Sequence, residues 1–352
     1  MWRVGTGIKA KRIAAVVSAL AVSLAFFVIW RVAERKAGEY EAEAARRRVE
    51  IPLITTRGHL REGTLTPGRG RYDYETEGEI PGLTGISPAP ADLFVIIHGL
   101  NNSSAKAIYK FGIARDSLRK PGNGFRGGIV GFSWDADTSK DPFGATGYHF
   151  AKAHAVANGP KLARFLADYK ARNPRSKVRL LGYSMGARVA LEAVHALATD
   201  PAFAGFAGKI DSLHLVGAAV DNEEVETDER YGKPIEKKVV TLINYYSPRD
   251  DKLGKYYRVT DGDRALGRSD IEHADRKPVN YRSRDVQSEL KAEGDTGDVD
   301  EAGQPGDNHS GYLGIRNKSG TLVDDGVMDV VLRDIRGSQA DRVSSTTGKK
   351  RR

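Results

Sequence analysis

A serine flanked by two glycines is the first candidate for chemistry in this chain. Ser184 lies at the centre of Gly182-Tyr-Ser184-Met-Gly186, a G-x-S-x-G pattern. Residues 178–183 before it are mostly apolar strand formers, and the alanine- and leucine-rich residues after it are typical of a buried helix. The two glycines permit a sharp strand-to-helix turn that exposes the serine hydroxyl. The alternative is a glycine-rich turn in which Ser184 only caps the helix, and the strand–turn–helix context favours the nucleophile.

A serine hydroxyl at neutral pH becomes a nucleophile only when a base accepts its proton and an acid orients that base. For a serine at such a turn, the acid and then the histidine come later in the chain. Two of the eight histidines, His273 and His309, follow the last apolar strand. His309 lies in a loop of small residues directly before a predicted terminal helix, whereas His273 lies in a charged loop that is typical of a solvated surface. We therefore expect His309 to be the base.

The acid is expected just after the strand predicted for residues 239–246. A carboxylate at this strand end can reach a histidine on the final loop, and Asp250 and Asp251 both follow the strand closely. We assign the role to Asp250, with Asp251 as the next choice and Asp221, after another predicted strand, as a further position. An aspartate after a strand is also common as an ordinary turn or helix cap.

Two backbone N–H groups must stabilise the oxyanion of a tetrahedral intermediate. One is expected from Met185, the residue after the nucleophile, and the other from the loop after the strand predicted at 93–97. In that loop His98-Gly99 allows a close approach of the chain, so Leu100 is the expected second donor. The alternative for His98-Gly99 is a plain turn.

Strands and helices alternate along the middle of the chain. This order predicts an α/β fold with a doubly wound, mostly parallel sheet whose functional sites lie at the carboxyl ends of its strands. Ser104 is expected to cap the first of the helices, and one or two edge strands are expected within residues 51–74. The predicted strands are 93–97, 128–134, 178–183, 213–220 and 239–246, and the predicted helices are 105–119, 149–171 and the one after Ser184.

Together these segments resemble the α/β-hydrolase superfamily. The resemblance lies in the strand ending at His98-Gly99, the Phe132-Ser-Trp134 strand, the G-x-S-x-G turn, the turn from Ser247 to Asp250, and His309-x-x-Tyr312. More narrowly, the chain resembles a poorly characterised bacterial branch with a Ser-Trp-Pro-type strand, although Asp135 stands where that branch usually has proline. The resemblance covers about residues 90–335. It implies the same triad of Ser184, Asp250 and His309.

We expect neither a cofactor nor a metal site. Residues 122–127 match G-x-G-x-x-G, but they precede a strand instead of opening a helix, which is the wrong context for a dinucleotide. His149 and His154 lie five residues apart on a predicted helix and are more typical of surface or core residues than of metal ligands. The acidic residues 295–301 lack the spacing of a calcium loop. The chain also has no cysteine, which excludes disulfides and thiolate chemistry.

The net charge of +9 comes largely from the ends of the chain. A near-neutral central domain argues against nucleic acid as a partner. The terminal basic residues include Arg3, Lys9, Lys11 and Arg12 at one end and Lys349, Lys350, Arg351 and Arg352 at the other.

An apolar stretch near the start of the chain predicts a single-pass membrane anchor. Residues 13–30 carry no charge and would form a helix of about 27 Å, close to the thickness of a hydrocarbon core. The rival is a cleaved signal peptide, but the stretch ends in bulky residues that do not suit a cleavage site. Basic residues flank both ends, so the orientation stays open, with the extracytoplasmic side favoured for the domain. The expected organisation is an anchor at 1–36, a charged stalk at 37–55, a hydrolase domain at 56–337 and a disordered basic tail at 338–352.

The sequence thus predicts a membrane-anchored serine hydrolase acting on small-molecule or lipid-like carboxylic esters or thioesters. Two alternatives remain open. One is a catalytically silent hydrolase fold that serves as a tethered binding or scaffold protein. The other is a peptidase or acyltransferase that uses the same triad, because the leaving group and the acceptor depend on the shape of the pocket.

Overall fold

The computed structural model describes residues 35, 38, 40–42, 45–46, 50–121, 124–138, 145–291, 308–317 and 319–337. The predicted membrane span at 13–30, the tail at 338–352 and residues 292–307, which include the acidic residues 295–301, lie outside these ranges. Within them, no helix is both long enough and apolar enough to cross a bilayer. The described residues of the predicted stalk before residue 50 are helical, and the ring of Tyr40 packs 5.0 Å from that of Tyr109.

An eight-stranded sheet forms the centre of the described chain. Its order is β10-β9-β8-β7-β5-β6-β1-β4, and every pairing is parallel except that of β1 with β4. The short hairpins β2–β3 and β11–β12 stand apart from it. The strands are β1 (Leu53–Thr55), β2 (Leu60–Arg61), β3 (Thr64–Leu65), β4 (Glu75–Glu77), β5 (Asp92–Ile97), β6 (Gly128–Ser133), β7 (Lys177–Tyr183), β8 (Ser212–Val216), β9 (Leu242–Tyr246), β10 (Tyr281–Asp285), β11 (Ile315–Arg316) and β12 (Leu322–Asp324).

Helices cover both faces of this sheet, as the apolar central strands require. The helices are α1 (Ser104–Arg119), α2 (Ala145–Arg172), α3 (Gly186–Thr199), α4 (Gly232–Lys238), α5 (Arg258–Asp261) and α6 (328–337). Because successive side chains of a strand point to opposite faces, β5 sends Leu93, Val95 and Ile97 into the core with α2 and α3, and Phe94 and Ile96 into the core with α1 and α6. The predicted doubly wound α/β fold is confirmed.

The strand order reverses beside β5. This strand has β6 on one side and β7 on the other, so the loops that leave the carboxyl ends of β5 and β7 diverge. In open α/β sheets such a crevice is the usual place for a ligand site. The sheet therefore brings the loop at His98 next to the turn at Ser184.

The predicted elements differ from the observed ones mainly at their ends. Ser103, not Ser104, caps α1, because its hydroxyl accepts from the backbone N–H of Lys106. The strand predicted at 213–220 ends at Val216, since Gly217 has a φ of +53° that turns the chain away. The strand predicted at 239–246 begins at Leu242 because α4 occupies the residues up to Lys238.

Two strands of the sheet differ from the prediction. Leu53–Thr55 lies within the range 51–74, where one or two edge strands were expected, and within the predicted stalk, but it forms the inner strand β1, which pairs with both β6 and β4. The polar segment Tyr281–Asp285 forms β10, the parallel edge strand beside β9. It has no apolar run that would mark it as a strand, because an edge strand exposes much of its surface to water.

A buried histidine in the sheet makes stability depend on pH. His214 on β8 is fully buried between the rings of Phe94 and Tyr245, and its nitrogens contact Ser212 Oγ at 2.9 Å and the Tyr245 hydroxyl at 3.1 Å. Burial, with a smaller effect from the nearby Arg179, lowers its pKa to about 3. The folded protein therefore keeps His214 neutral at a pH where the unfolded chain binds a proton.

We expect His214→Gln to weaken this acid sensitivity. Stability is lost as pH falls from the unfolded histidine value of about 6.5, so about 2 kcal/mol of the unfolding free energy disappears between pH 7 and pH 5 through this group. Urea denaturation at both pH values should show a smaller loss in the variant than in the wild type. Equal losses in the two proteins would mean that His214 does not carry the effect.

Candidate active site

The turn between β7 and α3 holds Ser184 in a strained backbone conformation. Its φ is +54°, which costs a non-glycine residue about 1 kcal/mol or more. A Cβ on Gly182 would lie 2.6 Å from Ala187 Cα, and one on Gly186 would lie 2.4 Å from the carbonyl oxygen of Ile97. Neither position has room for a side chain, so both glycines are needed for the chain to turn here.

The structure brings the three residues of the predicted triad together. His309 Nε2 lies 3.0 Å from Ser184 Oγ, and His309 Nδ1 lies 2.6 Å from Asp250 Oδ2. All three are buried, with 8% of Ser184, 5% of His309 and 0% of Asp250 exposed. This arrangement can remove the serine proton through Nε2 while the carboxylate holds the imidazole by its other nitrogen.

Short contacts between the loops fix the histidine and the acid. Asn308 Nδ2 donates to the carbonyl of Arg249 at 2.5 Å, and its Oδ1 accepts from the N–H of Asp251 at 3.3 Å. The second carboxylate oxygen of Asp250 accepts from the N–H of Leu253 at 2.9 Å. The final loop and the loop after β9 are therefore held to one another on both sides of the histidine–carboxylate pair.

Two tyrosines support the same pair. The hydroxyl of Tyr183 donates to the carbonyl of His309 at 2.9 Å, and the two rings lie 5.3 Å apart. The hydroxyl of Tyr312 donates to the carbonyl of Gly267 at 3.3 Å. Burial and the charge of Asp250 raise the pKa of Tyr312 well above its ordinary value, so its hydroxyl keeps its proton.

The alternative residues lie in other environments. The side chain of Asp251 is exposed, and Asp221 accepts from the hydroxyl of Tyr257 at 2.7 Å. His273 is exposed and its Nδ1 lies 2.9 Å from Glu226, which raises its pKa. Neither aspartate contacts His309, and His273 makes no contact with Ser184 among the described residues.

The two histidines of α2 do not form a metal site with one another. His149 is exposed, whereas His154 is buried and has a partner on each nitrogen. His154 Nε2 accepts from the N–H of Gly63 at 2.9 Å, so its Nδ1 carries the proton and donates to the carbonyl of Asp135 at 2.8 Å. This histidine joins the β2–β3 hairpin to the end of β6.

Three acidic groups lie close enough to share a cation. Carboxylate oxygens of Glu223, Asp263 and Glu272 fall within 4.8 Å of one another, and Glu272 is exposed. Partial burial and the charges of the two neighbouring carboxylates raise the pKa of Glu223. Exposed acidic groups often cluster without a bound ion, so this group identifies no metal.

The loop after β5, residues 98–102, lies directly against the nucleophile, and we call it the oxyanion loop. A Cβ on Gly99 would lie 2.8 Å from Ser184 Cβ and 3.3 Å from its Oγ. The backbone N–H groups of Leu100 and Met185, the two predicted donors, have no protein acceptor among the residues that the structure describes. Both are therefore free to donate to a bound substrate.

Sequence reasoning missed the residues that hold the oxyanion loop. Arg57, at the end of β1, contacts His98 and donates to the carbonyl of Asn102. The ring of His98 stacks on Trp134 at 5.6 Å between centroids and 9° between planes. Burial lowers the pKa of His98 well below its ordinary value, so this histidine stays neutral. The pair His98 and Trp134 was visible in the sequence, but nothing there pointed to Arg57.

Comparison with known proteins places the chain in a family of this fold. The model of a family described as "Alpha/beta hydrolase of unknown function (DUF900)" matches residues 87–294. No curated protein matches the chain. Among solved structures, a lipase-esterase related protein from Clostridium acetobutylicum ATCC 824 matches with 10% identity and a TM-score of 0.28, covering 55% of this chain and 84% of that one. A likeness at that TM-score supports no argument about activity.

The close packing at the turn predicts a sharp contrast between two glycine substitutions. Gly186→Ala would press a methyl group against the carbonyls of Ile97 and His98, so we expect a loss of about 1–3 kcal/mol in unfolding free energy. Gly205→Ala is the matched control, because its Cβ would have no neighbour within 4 Å. Urea denaturation should show a large loss for the first variant and none for the second. Equal stability of the two variants would contradict the tight approach of β5 and the turn.

Proposed function

The chain belongs to the alpha/beta hydrolase family DUF900, and from this premise we propose that it is a serine hydrolase that uses Ser184, His309 and Asp250 as its catalytic triad. One observation carries the proposal. A continuous chain of contacts runs from Ser184 Oγ through both nitrogens of His309 to the buried carboxylate of Asp250. A serine, a base and an acid in this order are the groups that acyl transfer requires.

The geometry supports the following reaction. The Nδ1–H of His309 donates a hydrogen bond to Asp250, which stays ionised, while Nε2 accepts the Ser184 proton as Oγ attacks the substrate carbonyl carbon. The N–H groups of Met185 and Leu100 stabilise the oxyanion of the tetrahedral intermediate. His309 then returns the proton to the leaving alcohol or thiol. A water molecule repeats the sequence on the acyl-enzyme, which releases the acid and restores the serine.

The proposed substrates are carboxylic esters or thioesters. An alkoxide or a thiolate is a better leaving group than an amide nitrogen, so these substrates place the smallest demand on proton return by His309. Two alternatives would use the same triad. A peptidase would cleave amides, and an acyltransferase would transfer the acyl group to an acceptor other than water. A series of p-nitrophenyl esters, with a p-nitroanilide as the amide counterpart, distinguishes these outcomes.

We expect substitutions in the triad to abolish hydrolysis and covalent labelling. Ser184→Ala should lower kcat by at least about 10³-fold, and His309→Gln should do the same because the hydroxyl then lacks its base. The measurements are turnover of p-nitrophenyl esters and labelling by a fluorophosphonate probe. His273→Gln is the matched control and should keep both, since His273 contacts Glu226 instead of the serine.

Asp250→Asn should cost far more activity than Asp251→Asn, because Asp250 is the carboxylate that contacts His309. A folded Ser184→Ala protein with wild-type turnover would disprove the proposal. So would a wild-type protein that neither hydrolyses esters nor reacts with the probe, which is the behaviour of a silent scaffold.

Membrane anchoring through residues 1–36 is a separate part of the proposal. It is supported by the uncharged apolar stretch at 13–30. Deleting residues 1–36 should yield a soluble and active protein, because β1 and all the residues of the candidate site come later in the chain. Fractionation with carbonate extraction tests this. If carbonate releases the full-length protein from the membrane fraction, or if the mature N-terminus lies beyond Trp30, the anchoring proposal is wrong.

A further inference from the structure

Arg57 joins three loops at the catalytic edge of the sheet. From the end of β1 its Nη2 donates to the carbonyl of Asn102 at 2.7 Å and lies 3.2 Å from His98 Nε2, both in the oxyanion loop. Its Nε donates to Ser133 Oγ at 3.0 Å and its Nη1 to Asp137 at 2.8 Å, both on the segment at the end of β6. The Arg57 side chain is 18% exposed, and its contacts with His98, Asn102 and Ser133 are partly buried, whereas Asp137 is exposed.

Within the oxyanion loop, hydrogen bonds converge on one carbonyl. His98 Nε2 accepts from the backbone N–H of Trp134 at 3.1 Å, so the ring proton is on Nδ1 and is donated to the carbonyl of Gly99 at 2.9 Å. Asn102 Nδ2 donates to the same carbonyl at 2.9 Å. The Gly99 carbonyl and the Leu100 N–H belong to one planar peptide unit and point in opposite directions. Fixing the carbonyl therefore fixes the direction of the Leu100 N–H.

We propose that Arg57 is a positioning residue that aims the Leu100 N–H at the substrate oxyanion by holding Asn102 and His98. Arg57 holds the two residues whose side chains bind the Gly99 carbonyl, and the planar peptide unit passes this constraint on to Leu100. This inference rests on the proposed serine hydrolase function.

Asp135 supports the loop that carries Arg57. We call the contacts that Arg57 and Asp135 make here the Arg57 clamp. The Asp135 carboxylate accepts from the N–H of Gly58 at 3.0 Å and from that of Leu60 at 3.2 Å. This carboxylate therefore supports the backbone directly after Arg57.

A comparison of oxoester and thionoester substrates tests the proposal. The sulfur of a thionoester is a weak hydrogen-bond acceptor, so its turnover depends less on a well-aimed Leu100 N–H. Arg57→Met should lower kcat for p-nitrophenyl acetate by about 10- to 100-fold with KM nearly unchanged, which is part of the loss that follows removal of one oxyanion donor. The ratio of oxoester to thionoester kcat/KM should fall by a similar factor. A general loss of structure would lower both rates together and leave the ratio unchanged.

Three further variants separate positioning from stability. Arg57→Lys keeps the charge without the forked geometry, so it should lower the ratio less than Arg57→Met does. Asp135→Ala should also lower it, because the loop of Arg57 loses its support. The matched control is Arg179→Met, which removes a more deeply buried arginine that contacts Asp92 and Ser212 near the opposite ends of the strands. It should lower stability and leave the ratio unchanged.

Failure of the serine hydrolase proposal and failure of the positioning role of Arg57 give different results in these assays. If the wild type neither turns over the oxoester nor reacts with a fluorophosphonate, the serine hydrolase proposal fails and the clamp with it. If the wild type is active and Arg57→Met keeps the wild-type ratio, or raises KM alone, the positioning role is overturned and the triad stands. If Arg57→Met does not fold, Arg57→Lys and Asp135→Ala decide: a lowered ratio in both supports the clamp, and a wild-type ratio in either overturns it.

Discussion

The candidate site depends on the close approach of two backbone turns at the carboxyl ends of β5 and β7. At Gly99 and at Gly186 a single methyl group would collide with the other turn, so the two loops touch through backbone atoms. This contact places the oxyanion loop against Ser184. The parallel pairing of β5 with β7 aligns Ile97 with Gly182 and brings the turns to the same level. The sheet therefore determines the spacing, and the glycines permit it.

The remaining parts of the site come from loops that are far apart in sequence. The loop after β9 contributes Asp250, and the loop before β11 contributes His309. Asn308 binds the backbone on either side of Asp250, so the two loops are fixed directly to each other as well as through the imidazole–carboxylate contact. A shared set of local hydrogen bonds thus restricts the motion of the His309 imidazole before any ligand binds, as the proposed proton transfer would require.

Local sequence patterns were enough to find most of the core and the three residues, Ser184, Asp250 and His309, that meet at the candidate site. The central strands are buried on both faces and therefore form continuous apolar runs, and the G-x-S-x-G turn has a steric reason that can be recognised in the chain itself. The polar strand β10 and the short helix α4 have no such local pattern, because their positions depend on neighbours. Arg57 could not be found for the same reason. Its contacts form only when β1 pairs with β6 in the sheet. No local sequence pattern predicts contacts between Arg57 and residues that lie 41 to 80 positions later in the chain.

The place of β1 in the sheet also affects how the chain can assemble. Leu53 pairs with Gly131, so the ribosome must make β6 before β1 can complete its parallel hydrogen bonds. Until then the antiparallel strand β4 can protect only one side of β1, and the side chains of Leu53 and Ile54, both buried in the folded protein, have no core to enter. Pairings between distant strands form slowly, and an unpaired strand edge is prone to wrong pairing. During synthesis, β1 is therefore a segment in need of protection from mispairing.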